Sequence, residues 1–434
     1  MLANFNAVFG LKWGAALLWH GERDCANMGT YSPVPLKSFV ESHMFARPGA
    51  GFGKRVYLTD LGEAESFMGG EERLKEALIK VGNQNDVRTL VVHDTCPVRV
   101  IGDDIRRCME ECGASVKSDM VYMDATAIDE GSPFDCIKQF WVSLLEKTAR
   151  KDVEKKPGGV NIIGYGGSSF ARRELRNLLE RAGAVLNASL FPSLERVEAE
   201  NFLAASLNAA SPWNYTMTIS RAIEDWSGIP LFVPPPPYGR KGTSSWLSAI
   251  MERLDGAKAE IPDMNAGQLS RFNMLKDLIS GRRACFVILS TQARRLLNAG
   301  FFCGIPLVSF LAEIGFSISI LYFDPDRVRK TRERIAPEAF EKNLKEAVGD
   351  SGKISLITFE DAGRLIPLLS EEDSGIVYSE ILDDPRIRTA GKNQFTTMDI
   401  EPGFSGCLKT MERLLRLSGD RFNFRYGKFF DGKL

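Results

Sequence analysis

Val91-Val-His-Asp-Thr-Cys-Pro-Val-Arg-Val-Ile-Gly-Asp-Asp-Ile105 decides how the chain is read. Leu90, Val91 and Val92 end a short apolar run that breaks at once into polar residues and proline, the pattern of a buried strand leaving a sheet. His93 to Pro97 are expected to form the loop at that strand's carboxyl end, where open α/β sheets place their ligands. Cys96 lies in this loop, and Pro97 behind it stiffens the backbone and removes one donor. Gly102, Asp103 and Asp104 open the next helix, with acids in its first turn as the helix dipole favours. The Cys96 thiol is therefore expected at a strand-to-helix turn, a place suited to holding a ligand.

The same alternation runs through the rest of the sequence. Helix-like stretches at 7–18, 71–81 and 103–112 alternate with strand-like ones at 56–58 and 90–92, and an amphipathic stretch at 134–149 closes the unit. That order predicts a parallel sheet. Residues 31–53, rich in Gly, Pro and Ser, are expected to form an irregular functional or subunit-contacting surface. Lys151-Asp-Val-Glu-Lys-Lys-Pro-Gly-Gly159 reads as a charged linker. A second unit opens with Val160-Asn-Ile-Ile-Gly-Tyr-Gly-Gly-Ser-Ser169. Its Gly164, Gly166 and Gly167 depart from GxGxxG, and no acidic residue ends the strand-like run at 184–190. A tight strand-to-helix turn is the better reading than a nucleotide site. The prolines at 234–237 make an extended connector ahead of a helix at Ser244. Strand-like runs at 284–289, 317–323, 354–359 and 374–378, helices at 291–300 and 308–314, and a charged helical insert at 324–348 make a third unit. The expected fold class is α/β: three Rossmann-like domains at 1–156, 157–280 and 281–434, with parallel sheets flanked by helices and a C-terminal helical tail.

With 44% hydrophobic residues among 434, the chain can bury two or three full cores. A formal net charge of −1 leaves no electrostatic footprint for nucleic acid or an anionic membrane. No apolar run approaches the roughly 20 residues of a membrane span. The first ten residues lack the basic start of a signal peptide, so a cytoplasmic location is expected. Eight cysteines in so long a chain do not make a disulfide framework. Cys108 and Cys112 share a helix face, but the chain has only three histidines, all before Cys96, and zinc there is disfavoured. Cys136, Cys285, Cys303 and Cys407 read as small core hydrophobes.

A second cysteine loop gives the first its meaning. His20-Gly-Glu-Arg-Asp-Cys25 follows the apolar stretch 13–19, and between the two loops lie Tyr57-Leu-Thr-Asp60 and Phe67-Met-Gly-Gly-Glu-Glu-Arg-Leu74. In this order the pieces resemble the catalytic-component subunits of nitrogenase and nitrogenase-like reductases, the nitrogenase component 1 family. There an HGxxxC loop and a TCPxxxIGDDI loop each give a thiolate to an iron–sulfur cluster between two homologous subunits. A TxLxExxxxFGGxxxL segment lies between those loops, and residues 59–74 follow it with Met68 as a variation. Residues 161–188 are similar to the family's second domain, and Pro402-Gly-Phe-Ser-Gly-Cys407 to its C-terminal GF segment.

The resemblance implies Cys25 and Cys96 as metal ligands and a 4Fe-4S or P-cluster-like cluster at a subunit interface. It also implies a homologous α-like partner in an α2β2 heterotetramer. In nitrogenase the chain that holds the active-site cofactor uses a second-domain Cys and a His near the GF segment. Here Ala210-Ser-Pro-Trp-Asn-Tyr215 has no Cys, and no His follows His93. The chain is therefore expected to be β-type, with the larger iron–sulfur cofactor on the partner, or its counterpart in the scaffold on which that cofactor matures. Relatives often carry a further cluster cysteine ahead of the HGxxxC loop. Leu2 to Asn6 offers none, so two thiolates are expected from this chain and the rest from the partner.

Ser132 is a candidate oxygen ligand. His20 and the amides around Gly21 and Gly102 are candidate donors to the cluster's sulfurs, and Asp103 and Asp104 are expected to cap the helix. Electrons would come from an ATP-dependent 4Fe-4S iron protein. The substrate would be dinitrogen, a tetrapyrrole double bond or a small organosulfur compound such as a methylthio-alkane. In this reading the chain is the electron-relay subunit of an anaerobically handled oxidoreductase and carries no catalytic residue of its own. A metal-free Rossmann-like protein such as a glycosyltransferase accounts for the alternation but not for the two cysteine loops.

Overall fold

The computed structural model describes residues 11–23, 56–124, 133–165, 168–191, 193–254, 261–349, 353–381 and 383–426. Three all-parallel sheets run through them. β1 (Ala15–His20), β2 (Val56–Leu58), β3 (Thr89–Asp94) and β4 (Asp119–Met123) form the first, in the order β2-β1-β3-β4. β5 (Gly159–Ile163), β6 (Val185–Leu190), β7 (Leu207–Ala210) and β8 (Leu231–Phe232) form the second, ordered β6-β5-β7-β8. β9 (Arg283–Leu289), β10 (Ser317–Phe323), β11 (Ile354–Phe359), β12 (Ile376–Tyr378) and β13 (Asn393–Phe395) form the third, ordered β11-β10-β9-β12-β13. The chain divides into two compact units. One, residues 1–168, 184–210 and 215–233, holds the first two sheets; the other, residues 169–183, 211–214 and 234–434, holds the third.

The expected helix at 7–18 is corrected over its described part, since Ala15–His20 is a strand buried at every residue, while 7–10 lie outside the described residues. A parallel strand covered on both faces reads as one unbroken apolar run, and Ala-Ala-Leu-Leu-Trp carries no period to separate it from a buried helix. The helices Glu71–Gly82 and Ile105–Cys112 cover one face of this sheet. Leu74 and Leu78 of the first, and Cys108 and Cys112 of the second, close one core cluster with Leu18, Leu90 and Val92. Each fully buried leucine contributes about 1.5–3 kcal/mol. Burial pushes the Cys108 thiol up to about 11, so it stays protonated within this core.

The second sheet is pinned by a polar ladder that no hydrophobic pattern announces. Asn187 Nδ2 donates to Asn161 Oδ1 and Asn161 Nδ2 to Asn208 Oδ1, both at 2.9 Å, and Asn208 Nδ2 donates to Ile229 O at 3.2 Å. Linked side by side across β6, β5 and β7, these buried amides resist a slip of register.

In the second unit, the stretch at 291–300 is not one helix. It breaks into the short turns Ser290–Gln292 and Ala299–Phe301 around the helix Ala293–Leu296. The charged insert is α-helical only over Pro337–Val348, with its proline in the first turn, where a missing N–H costs nothing. The helix expected at Ser244 already begins at Gly239. The long helix Phe404–Gly419 packs on Ala266–Ile279, and the short helix Phe422–Tyr426 follows it. Among the described residues no helix is long and apolar enough to cross a membrane.

Candidate functional site

In the first sheet the chain steps from β1 outward to β2 and returns to β3 on the other side of β1. β1 and β3 therefore flank the point where strand order reverses, and a crevice opens at their carboxyl ends. Register brings the two motif loops to this point. Trp19 pairs with His93 and His20 with Asp94, and the Thr95 amide donates to His20 O at 3.1 Å. Gly21 and Thr95 are packed against one another: a β-carbon on Gly21 would lie 2.1 Å from Thr95 Oγ1, and Gly21 has φ +154°. Only glycine fits there.

The loop expected over 93–97 is shorter than the sequence suggested. β3 runs through Asp94, and Cys96 already opens the helix Cys96–Ile101, with Pro97 in its first turn and Gly102 at φ +89° ending it. Cys96 thus follows Thr95 directly at the crevice. Its side chain, Cys25, Ser132, Gly166, Gly167, the 31–53 segment and the side chain of Cys136 lie outside what the structure describes. Among the described residues no group of three or more His, Cys, Asp or Glu is arranged to hold a metal ion.

Both ring nitrogens of His20 are engaged. Nε2 lies 3.0 Å from Asp103 Oδ2, and Nδ1 lies 3.0 Å from Thr59 Oγ1. A carboxylate only accepts, so Nε2 carries the proton. Nδ1 then accepts the Thr59 hydroxyl, whose oxygen accepts the Gly21 N–H at 3.0 Å. Asp103 also accepts the Gly70 N–H, at 2.9 and 3.1 Å to its two oxygens. A β-carbon on Gly70 would stand 3.0 Å from both Asp103 Oδ2 and His20 Cε1. One buried histidine, itself in the first motif segment, thus joins the end of β1 to Thr59 directly and to Gly70 through Asp103, so that all three motif segments meet.

The capping expectation needs correction for Asp103. Asp104 alone caps the helix Ile105–Cys112, accepting the Arg107 N–H at 3.0 Å, while Asp103 turns back to His20. Glu71 accepts the Asp104 N–H at 3.0 Å and pairs with Arg107, which locks the turn from the other side. The roles of Thr59 and Gly70 were not apparent from the sequence; their signal was membership of the TxLxExxxxFGGxxxL segment. The amides named at Gly21 and Gly102 are both used inside the protein, by Thr59 Oγ1 and by Val98 O at 3.0 Å.

Burial pushes the His20 pKa down, against the pull of Asp103. His93, packed edge-on against Trp19 at 5.2 Å with its Nδ1–H donating to Met123 O at 3.0 Å, is also pushed down by burial. Unfolding returns both to an ordinary pKa of 6.5. Below that pH the unfolded chain binds more protons than the folded one, so the stability these groups provide is full above 6.5 and is lost as pH falls. Two such groups give a slope of at most about 2.7 kcal/mol per pH unit. Denaturant midpoints of the metal-free chain should fall between pH 7 and 5.5, and a flat profile would refute neutral burial of the pair.

Phe67, Met68 and Val100 are 89%, 88% and 89% exposed, on two short helices, Glu63–Met68 and Cys96–Ile101, that touch one another. Apolar side chains so open on neighbouring elements mark a contact surface.

The sequence matches the family model described as nitrogenase component 1 type oxidoreductase over residues 12–352. This chain belongs to that family. It is 24% identical over 275 residues to the nitrogenase molybdenum-iron protein alpha chain of Clostridium pasteurianum, covering 58% of this chain and 48% of that one. It is 22% identical over 241 residues to the nitrogenase iron-molybdenum cofactor biosynthesis protein NifE of the same organism, covering 54% and 52%. One of the subunits of the light-independent protochlorophyllide reductase of Pelodictyon phaeoclathratiforme is 23% identical over 292 residues, covering 62% and 53%. The chain spans about half the length of the curated relatives it matches. A solved structure described as nitrogenase Cp1 at pH 6.5 superposes with a TM-score of 0.63 at 15% identity, over 96% of this chain and 91% of that one. The α/β fold with helix-flanked parallel sheets is that of a nitrogenase component 1.

Proposed function

We propose that this chain is the β-like, electron-relay subunit of a nitrogenase-like reductase, holding an iron–sulfur cluster against a homologous α-like partner. The observation that supports this is that the strand ends from which the two cysteine motifs continue, His20-Gly21 and Asp94-Thr95, lie side by side at the strand-order reversal of the first sheet, with His20 tying the surrounding motif segments in place. Cys25 and Cys96 are the thiolates this chain would give, and soft thiolates suit iron–sulfur clusters. The donor set fits such a group in one further respect. Thr95 Oγ1, beside Cys96, is buried with no hydrogen-bond partner among the described residues. When bound, a cluster of this kind supplies one-electron transfer. The chain's own part is to hold it, orient its ligands and keep water from it, with Ser132 as a further candidate ligand.

The exposed Phe67, Met68 and Val100 suit docking of an ATP-dependent iron protein beside the cluster. The larger cofactor belongs on the partner in this reading. A cavity of about 520 Å³ at the carboxyl ends of β9 and β12 is lined by Phe286, Tyr378, Glu380 and Arg386 among others, with no cysteine or histidine among its described lining residues. The division into domains at 1–156, 157–280 and 281–434 is part of the same proposal, as are the substrates: dinitrogen, a tetrapyrrole or a small organosulfur compound. A second reading, a scaffold for cofactor maturation, is favoured by the matches to NifE cofactor biosynthesis proteins.

Anaerobic co-purification with the partner chain, iron analysis and electron paramagnetic resonance test both readings. An interface cluster with reduction that depends on the iron protein and ATP is the expected result. A cluster without turnover, and a precursor released to another protein, selects the scaffold. Absence of iron refutes both.

A further inference from the structure

We propose that the Thr95 hydroxyl donates a hydrogen bond to the group held by Cys25 and Cys96 and thereby sets its reduction potential; the proposal rests on the cluster reading above. Thr95 occupies the position ahead of the helix Cys96–Ile101, with φ −104° and ψ 165°. From there a threonine hydroxyl ordinarily accepts an amide proton from the first turn. Here it makes no such bond. The residue is 2% exposed, and its Oγ1 is buried with no hydrogen-bond partner among the described residues. A hydroxyl left in that state destabilises the fold unless something else takes its proton.

The neighbouring candidates are already committed. His20 has both nitrogens bonded, the Gly21 amide goes to Thr59, and the Gly102 amide goes to Val98 O. Thr95 is the donor left over, and it sits where the ends of β1 and β3 meet. Its oxygen lies against Gly21, where the chain sets out toward Cys25, and the next residue in sequence is Cys96. Sulfur of a cluster or of its thiolates is a good acceptor for an O–H. Donation to it withdraws electron density and favours the reduced form.

The test uses the complex with its partner, purified without oxygen. Thr95→Val keeps the branched shape and removes only the hydroxyl. The expected result is wild-type iron content with a midpoint potential shifted to more negative values in a redox titration followed by electron paramagnetic resonance. Thr95→Ser should return the midpoint toward that of the wild type. An unchanged midpoint with full iron in Thr95→Val overturns the proposal while leaving the cluster reading intact. Iron lost in Thr95→Val and regained in Thr95→Ser supports it, because the hydroxyl then holds the group; iron lost in both overturns it. A wild-type complex without iron overturns the cluster reading and this proposal with it.

Discussion

Cys96→Ala is expected to abolish the iron bound at the subunit interface, and Cys25→Ala to do the same, whereas Cys285→Ala retains it in full. Each of the first two would remove one of the two soft ligands this chain offers, and a cluster shared between subunits loses its hold on one side when either goes. Pairing with the partner should weaken in step, because the cluster would be part of what joins the subunits. Cys285 is the control because its surroundings are of the opposite kind. It lies on β9 at 0% exposure, in a core cluster with Leu321, Leu369 and Val377, and burial drives its thiol pKa far up. A thiol held protonated in an apolar core is no metal ligand. The measurement is iron per chain in anaerobic preparations of the three variants, with co-purification of the partner as a second readout. Equal iron in all three, or equal loss, would sink the assignment.

What the sequence revealed, and what it hid, divides along the range of the forces involved. β3 and the turn after it were legible because strand, polar break, cysteine, proline and glycine all lie within fifteen consecutive residues, 91–105. The strands at 317–323 and 354–359 were legible for the same local reason. β1 was not, because burial on both faces erases the alternation that marks a strand. The His20 bracket lay further out of reach. Its two hydrogen bonds span 39 and 83 residues, and nothing in the neighbourhood of His20 or Asp103 points to the other. Asp103 and Asp104 look alike in sequence, both suited to a helix start, and only the fold assigns one to the cap and the other to the histidine. The asparagine ladder of the second sheet was hidden in the same way, in three residues that read separately as polar interruptions of apolar strands.

Asp103→Ala is expected to destabilise the first unit by roughly 3 kcal/mol, although Asp103 is neither in the apolar core nor a proposed ligand. Its side chain is 3% exposed and that of His20 is fully buried. Removing the carboxylate strips the acceptor from two buried donors, the His20 Nε2–H and the Gly70 N–H. Each such donor left unpaired costs about 1–3 kcal/mol, and water entering the vacated space offsets part of that. Asp103→Asn retains one carbonyl oxygen and should cost less. Since Asp103 raises the His20 pKa against burial, either variant leaves His20 still harder to protonate. The consequence for function follows from geometry. His20 begins the loop that leads to Cys25, and Asp103 follows the short helix that Cys96 opens. Losing their contact removes one of the ties between the two motif segments, while the backbone bond from Thr95 N–H to His20 O and both thiols remain. Asp103→Ala should therefore bind iron more weakly than wild type, with Asp103→Asn in between, and denaturant unfolding of the metal-free chains should rank the three in the same order. A variant within about 0.5 kcal/mol of wild type, the range of an ordinary surface substitution, would show that the bracket does not hold the loops.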